Sequence, residues 1–336
     1  MSLRKLNSVL MIAAVVLAAI SCKKDKEADS LPSLEGSLRF DCPSFVAPEQ
    51  VVTMRPTGVK HPEGEELGYY WRVTPTMTYN DTTDLYVHWF SDTLQTYTVN
   101  CYAFAEGYNN ASYSRPVIVV KGGLDGSLTK TGIKADDPKI TVDGIDYYYE
   151  KIGNLEWFRN NLASVKSGIP YVNEEVTSDV FGRFYNYTDA LTACPEGWRL
   201  PTEEDWMSLA EALDNPVTEK YSIFKNVNAK LMANAYFNEV PLLEYWPIVG
   251  DVTNSSRLSL LPFGYVNLGN RDEEGKYPNA AFDGIYVYAA FWTADKVEGE
   301  EMAYYRYMIS NQPEMMVGQG DVNSFGANVR CVRDVQ

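Results

Sequence analysis

Histidine is nearly missing from this sequence. His61 and His88 are the only two, and both fall in the first third. Everything beyond residue 88 therefore lacks the imidazole that a Ser-His-Asp triad, a Cys-His pair or a His-ligated zinc site needs. Clustered positive charge is missing too. Lys and Arg number 29 against 45 Asp and Glu, a formal charge of −16, with no Lys/Arg-rich run to offset it locally. Such a field repels a polyanion and speaks against nucleic acid as a partner. Long apolar runs are absent: the one unbroken stretch, 9–20, would rise about 18 Å as a helix against a hydrocarbon core of about 30 Å. What is present is ordinary for a folded protein. Hydrophobic residues make up 45% and charged residues 22%, which excludes wholesale disorder, and 336 residues suffice for two domains and a tether.

Arg4 and Lys5 precede the apolar stretch, and Ser21 and Cys22 follow it, the layout of a secretory signal. Ala19-Ile20-Ser21-Cys22 resembles a bacterial lipobox, with Ala in place of the usual Leu three residues before the cysteine. The resemblance implies cleavage after residue 21 and acylation of Cys22, a membrane anchor of two or three chains. A plain signal peptide that contains a cysteine is the alternative. Residues 22–35, opening Lys23-Lys24-Asp25-Lys26-Glu27, carry charge without apolar periodicity and read as a flexible tether. Lys23 stands where an inner-membrane retention signal has Asp. The acids that follow resemble the surface-export signal of Bacteroidetes-type lipoproteins, so the expected address is the outer membrane, on the cell surface.

Residues 36–121 read as an all-β sandwich. Strands are expected over 50–54, 69–73, 85–89, 97–104 and 116–120, β-branched and aromatic runs separated by Gly, Pro, Asn and Asp. The Tyr-Trp strand at Tyr70-Trp71 and the strand Tyr97-x-Val99-x-Cys101-x-Ala103 resemble immunoglobulin-like and PKD-like modules. His61 and His88 are expected as a turn residue and a strand-surface residue. Residues 122–135 begin a Gly-rich linker, and a second domain follows over 136–336. A hairpin is expected at Asp143-Gly144, where Asp-Gly supplies the positive φ of a type I′ turn. The clearest helix is 203–213, with Thr202 as cap, Asp205 at its third position, and Trp206, Leu209, Ala210 and Leu213 along one stripe. A shorter helix is expected over 189–193.

Three sets of residues in this second part carry a family resemblance. The first is Tyr149-Glu150-Lys151-Ile152-Gly153-Asn154-Leu155-Glu156-Trp157-Phe158-Arg159-Asn160-Asn161-Leu162. The second is Gly182-Arg183-Phe184-Tyr185 with Cys194-Pro195-Glu196-Gly197-Trp198-Arg199-Leu200-Pro201-Thr202-Glu203. The third comprises Leu261-Pro262-Phe263-Gly264-Tyr265, Phe291-Trp292-Thr293 and Val329-Arg330-Cys331-Val332-Arg333-Asp334. In this order they resemble the Fibrobacter succinogenes major paralogous domain. The resemblance implies an α+β, C-type-lectin-like fold with its ends close together, and an exported module without an established general activity. Arg199-Leu200-Pro201-Thr202-Glu203 is also similar to the formylglycine-generating, sulfatase-modifying family. Those enzymes need a pair of late cysteines to hold copper, and here Cys331 stands alone, so the redox chemistry does not carry over.

The lectin-like resemblance also implies a bridge between Cys194 and Cys331, which in the chain-entropy model stabilises by about 5 kcal/mol. Cys42 with Cys101 is the remaining pair, with two buried free thiols as the alternative. Gln312-Pro313-Glu314 is similar to the calcium- and sugar-binding tripeptide of true C-type lectins, and Gly320-Asp321-Val322-Asn323-Ser324 matches the companion strand only in part. An ordinary loop turn accounts for the same residues, so no metal and no cofactor is expected. The acidic loop 269–277 is read as solvated, with cation or basic-partner binding as the alternative. Tyr147 to Tyr149 and Tyr304, Tyr305 and Tyr307 can stack on sugars or pack a core. Glu203 and Glu204 suit a helix N-terminus without any catalytic role. The expectation is a non-enzymatic cell-envelope lipoprotein that presents a lectin-like recognition or adhesion head, for a glycan or protein ligand, on an Ig-like spacer. The alternatives are a structural or accessory subunit of an envelope or fimbrial complex and a carboxylate-dependent glycan hydrolase.

Overall fold

The computed structural model describes residues 30–75, 78–80, 87–121, 128–129, 133–134, 136–233, 236–237, 252–285 and 287–335. Cys22, the signal segment and most of the tether lie outside them, as do 122–127, 130–132 and 135 of the linker. The chain is mostly strand, arranged in several sheets. No described helix is long and apolar enough to cross a membrane.

Strict alternation builds the N-terminal region. Thr96–Phe104 buries every second residue, Tyr97, Val99, Cys101 and Ala103, and lies between Gly68–Thr74 and Ala111–Val119 in a five-stranded sheet. Facing it are two antiparallel pairs, Glu35–Phe40 with Pro56–Lys60 and Val52–Met54 with Val87–Trp89. Leu38, Phe40, Met54, Trp71, Val73, Val99 and Val117 from both layers form one apolar core. Burial of one face of each strand is what holds the layers together. The tether expected to reach residue 35 ends earlier than that. The Asn109 amide donates to the Pro32 carbonyl at 2.8 Å, and Leu34 is buried in the core, because an apolar side chain this close to the sheet gains more from contact than from water.

In the second region Lys139–Val142, Ile145–Ile152, Leu155–Phe158 and Val332–Asp334 form a four-stranded sheet that sets its first strands beside its last. Asp143 and Gly144 have φ of +53° and +83°, the turn their sequence calls for. A second sheet runs in the order Ala281–Ile285, Phe263–Asn267, Tyr288–Lys296, Met302–Ile309, Met316–Asp321, with Phe325–Gly326 beside Phe263–Asn267. Gly264, at φ +77°, admits no side chain, since a Cβ there would sit 1.9 Å from the Asp283 carbonyl oxygen.

Helix Glu203–Ala212 packs between the sheets. The Thr202 hydroxyl accepts from the Asp205 amide while the Asp205 carboxylate accepts from the Thr202 amide, the reciprocal cap its sequence predicts. Trp206 on its buried stripe meets Trp157 of one sheet at 4.8 Å and Phe291 of the other at 6.0 Å. The shorter helix is Tyr187–Ala193, two residues longer at its start than expected. Asn186 is its cap and accepts from the Asp189 amide at 2.7 Å.

The two regions touch. Phe45 enters the second region's core, edge-on to Tyr171 at 5.8 Å and to Phe181 at 5.6 Å. Beside it the Glu174 carboxylate accepts from the Ser44 and Phe45 amides, both at 2.7 Å.

Candidate functional site

Cys194 ends helix Tyr187–Ala193 and Cys331 precedes strand Val332–Asp334, 137 residues apart in sequence. They are joined by a disulfide with a Cα–Cα distance of 5.8 Å. Cys42 and Cys101 are not joined; both are free thiols, which corrects the possible second bridge. Cys101 sits in mid-strand, opposite Trp71 and Tyr113, walled in by apolar neighbours, and burial pushes its thiol up to about 12. Cys42 lies beyond the end of Glu35–Phe40, directs its S–H at the Pro43 carbonyl, and is pushed up to about 11, again chiefly by burial.

The calcium-type residues are not brought together. Glu314 precedes strand Met316–Asp321 and Asp321 closes it, so the full length of the strand separates them. The Asp321 carboxylate is occupied in a turn, accepting from the Asn323 and Ser324 amides and the Ser324 hydroxyl. Those bonds stabilise the ionised form and hold its pKa below the ordinary carboxylate range. The tripeptide Gln312-Pro313-Glu314 serves as a bracket: Asn228 Nδ2 donates to the Gln312 and Glu314 carbonyls at 2.8 and 2.7 Å. Among the described residues no group of three or more His, Cys, Asp or Glu is placed to hold a metal ion.

The acidic loop 269–277 is closed on itself. Asp272 accepts from the Glu274 and Lys276 amides, Lys276 pairs with Glu274, and Arg271 pairs with Asp189 and lies over the Tyr277 ring. His61 and His88 take the turn and strand-surface places expected of them. His61 Nδ1 accepts from the Glu63 amide, and His88 Nδ1 meets the Thr53 hydroxyl at 2.7 Å.

Glu203 is more than a helix-end acid. It is fully buried and forms an ion pair with Arg306, whose guanidinium lies 3.6 Å from the centroid of the Phe224 ring and donates to the Ser222 carbonyl at 2.7 Å. Glu204, by contrast, pairs with Lys220 at the surface. Sequence reading missed this pair, as it missed two other arginines of the family motifs. Arg159 donates to Asp137 and to the Arg257 carbonyl, both at 2.7 Å. Arg330 has no carboxylate partner among the described residues and donates to Asn161 Oδ1 and to the Phe158, Leu258 and Ser259 carbonyls. Burial, with Arg159 close by, pushes its guanidinium down to about 9. Arg159 and Arg330 hold loops to sheets.

The tyrosines divide into two groups. Tyr147 is core, stacked on Phe158 at 4.9 Å, and Tyr149 packs on Trp198 at 5.4 Å. Tyr305 and Tyr307 instead join Tyr265, Tyr288 and Phe325 in a half-buried aromatic cluster on one face of the second sheet. Tyr288 and Tyr307 are parallel at 5.0 Å, and Tyr305 and Phe325 at 4.5 Å. Gly318 leaves the room Tyr305 occupies, since a Cβ there would lie 2.5 Å from the ring. Burial raises the pKa of Tyr288 and of Tyr305, so their hydroxyls stay protonated as hydrogen-bond donors. A rigid strand surface with aromatic edges and hydroxyl tips can bind a ligand that is partly apolar and partly hydroxylated.

No curated protein matches the chain. The family model for the Fibrobacter succinogenes major domain does match, over residues 151–333. Those residues take in the disulfide, the buried arginines and the aromatic cluster, and the chain belongs to the Fibrobacter succinogenes major domain family.

Proposed function

We propose that this protein is a non-enzymatic lipoprotein of the bacterial cell envelope, held in the outer membrane by acyl chains on Cys22 and exposed at the surface. Its 136–336 part is a C-type-lectin-like recognition or adhesion head, and its 36–121 part an Ig-like spacer that carries the head away from the membrane. The observation that carries the reading is the half-buried cluster of Tyr265, Tyr288, Tyr305, Tyr307 and Phe325 on the second sheet, in a region whose four-stranded sheet is tied to helix Tyr187–Ala193 by Cys194–Cys331. Aromatic residues that a monomer leaves partly open on a rigid element are the usual anchors of recognition. Two measurements test it. A clickable fatty acid labels the wild type and not Cys22→Ser. On a glycan array the mature protein retains a defined set of saccharides, and Tyr305→Ala with Tyr307→Ala loses them while keeping its melting temperature. Equal labelling of Cys22→Ser ends the lipoprotein assignment, and retention unchanged by the tyrosine substitutions ends the assignment of the site.

A further inference from the structure

The N-terminal region carries a groove of about 500 Å³ where the end of Glu35–Phe40 meets Val52–Met54 and Ala111–Val119. Arg39, Asp41, Cys42, Thr53, Tyr113 and Arg115 line it. In a chain with 29 basic and 45 acidic residues, two arginines lining one groove, neither with a carboxylate partner among the described residues, stand out as a local concentration of positive charge. Arg39 lies 4.7 Å from the centroid of the Tyr113 ring and donates to the Leu38 carbonyl at 2.8 Å, with no ion pair among the described residues. Arg115 makes no hydrogen bond or ion pair among the described residues, and its Nε is buried without an acceptor. It follows Tyr113 by two positions, so both side chains rise from the same face of the strand, about 7 Å apart. The charge of Glu174 acts on Arg115, yet its carboxylate is taken by the Ser44 and Phe45 amides.

The guanidinium fork matches a carboxylate with two parallel hydrogen bonds, and among the described residues neither arginine spends its fork on an acid. The volume suits a ligand of one or a few rings, more than a bare anion needs. The wall also carries groups that accept and donate to hydroxyls: the Asp41 carboxylate, and the Thr53 hydroxyl, which holds His88 Nδ1 at 2.7 Å. We propose that this groove binds a carboxylated saccharide, a uronic acid unit of a polysaccharide, with the carboxylate on Arg115 and Arg39 and the ring hydroxyls toward Asp41 and Thr53. The Ig-like part is then a second recognition surface, independent of the tyrosine cluster of the head.

The test is calorimetric titration of the full mature chain with a galacturonic acid trisaccharide, a neutral galactose trisaccharide and acetate. Saturable binding of the uronate alone is expected, weakened at least tenfold in Arg115→Gln and in Arg39→Gln. Cys42 offers a readout in the unaltered protein, because the bound uronate should slow its alkylation by iodoacetamide. Three results overturn the proposal: no uronate binding, equal affinity for the neutral sugar or acetate, or binding that neither substitution weakens and that leaves Cys42 alkylation unchanged.

Discussion

In the N-terminal sandwich the apolar core runs from Leu38 and Phe40 through Trp71, Val99 and Val117, and among its described residues no Asp, Glu, Lys or Arg is buried as a whole. Behind residue 136, Arg159, Arg306 and Arg330 are all but fully buried, and a disulfide joins segments 137 residues apart. Regular strands satisfy their own backbone groups and need only apolar faces to pack. The second region is built of short strands and long loops, whose carbonyls find no ladder partner. Buried guanidinium groups supply the missing donors, as Arg330 does for three backbone carbonyls at once. One region is therefore held by area and the other by specific polar bonds, and four experiments can break or sharpen that contrast.

The largest effect is expected from Glu203→Ala, which leaves the Arg306 charge buried and unpaired. It should lower the stability of the second region by about 3–5 kcal/mol. Glu203→Leu with Arg306→Met should recover most of that loss. Calorimetry should register the loss in one transition only, and a matching fall in the sandwich transition would refute the division. Cys194→Ala with Cys331→Ala comes next, at about 2–4 kcal/mol, again in the second region alone. A reductant should reproduce it and leave the sandwich unmoved, since Cys42 and Cys101 are already thiols.

The two smaller effects depend on pH and have opposite signs. At Asp137 burial opposes the charge, but hydrogen bonds from Arg257, the Lys134 amide and Arg159 prevail and hold the carboxyl down at about 2. Its stabilising contribution is whole above the ordinary 3.8 and fades as pH falls toward 2. Urea midpoints taken down this range should drop for the wild type and flatten for Asp137→Asn. Glu174, at the junction, is shifted upward, chiefly by burial, in spite of the Ser44 and Phe45 amides. Its contribution is whole below the ordinary carboxylate range and fades as pH rises through the raised value. The transitions of the two regions should therefore lie closer together in mild acid than at neutrality, and Glu174→Gln should remove that dependence. The same spacing at both pH values in the wild type would show that Glu174 does not couple them.

Legibility followed the same division. The strand Thr96–Phe104 and the stripe of Trp206, Leu209 and Ala210 were readable because period-2 and period-3.6 burial are local. Glu35–Phe40 escaped notice because only Leu38 and Phe40 of its six residues turn inward. The Thr202–Asp205 cap spans three residues and could be read directly. Glu203, beside it, could not be distinguished from Glu204, because its partner Arg306 lies 103 residues away. The tyrosines were visible as clusters, but nothing in their spacing separates Tyr147, which is core, from Tyr305, which is half-exposed.

By itself, then, the sequence determined the strongly periodic elements, the family motifs and the scarcity of histidine. Each of these depends on composition, or on patterns within a turn or a strand. Only the tertiary structure decided that Cys42 and Cys101 stay free, that the motif arginines brace loops, and that Arg39 and Arg115 meet in one groove. Those outcomes depend on which distant segments come within a few ångströms, and that distance is set by the packing of whole sheets.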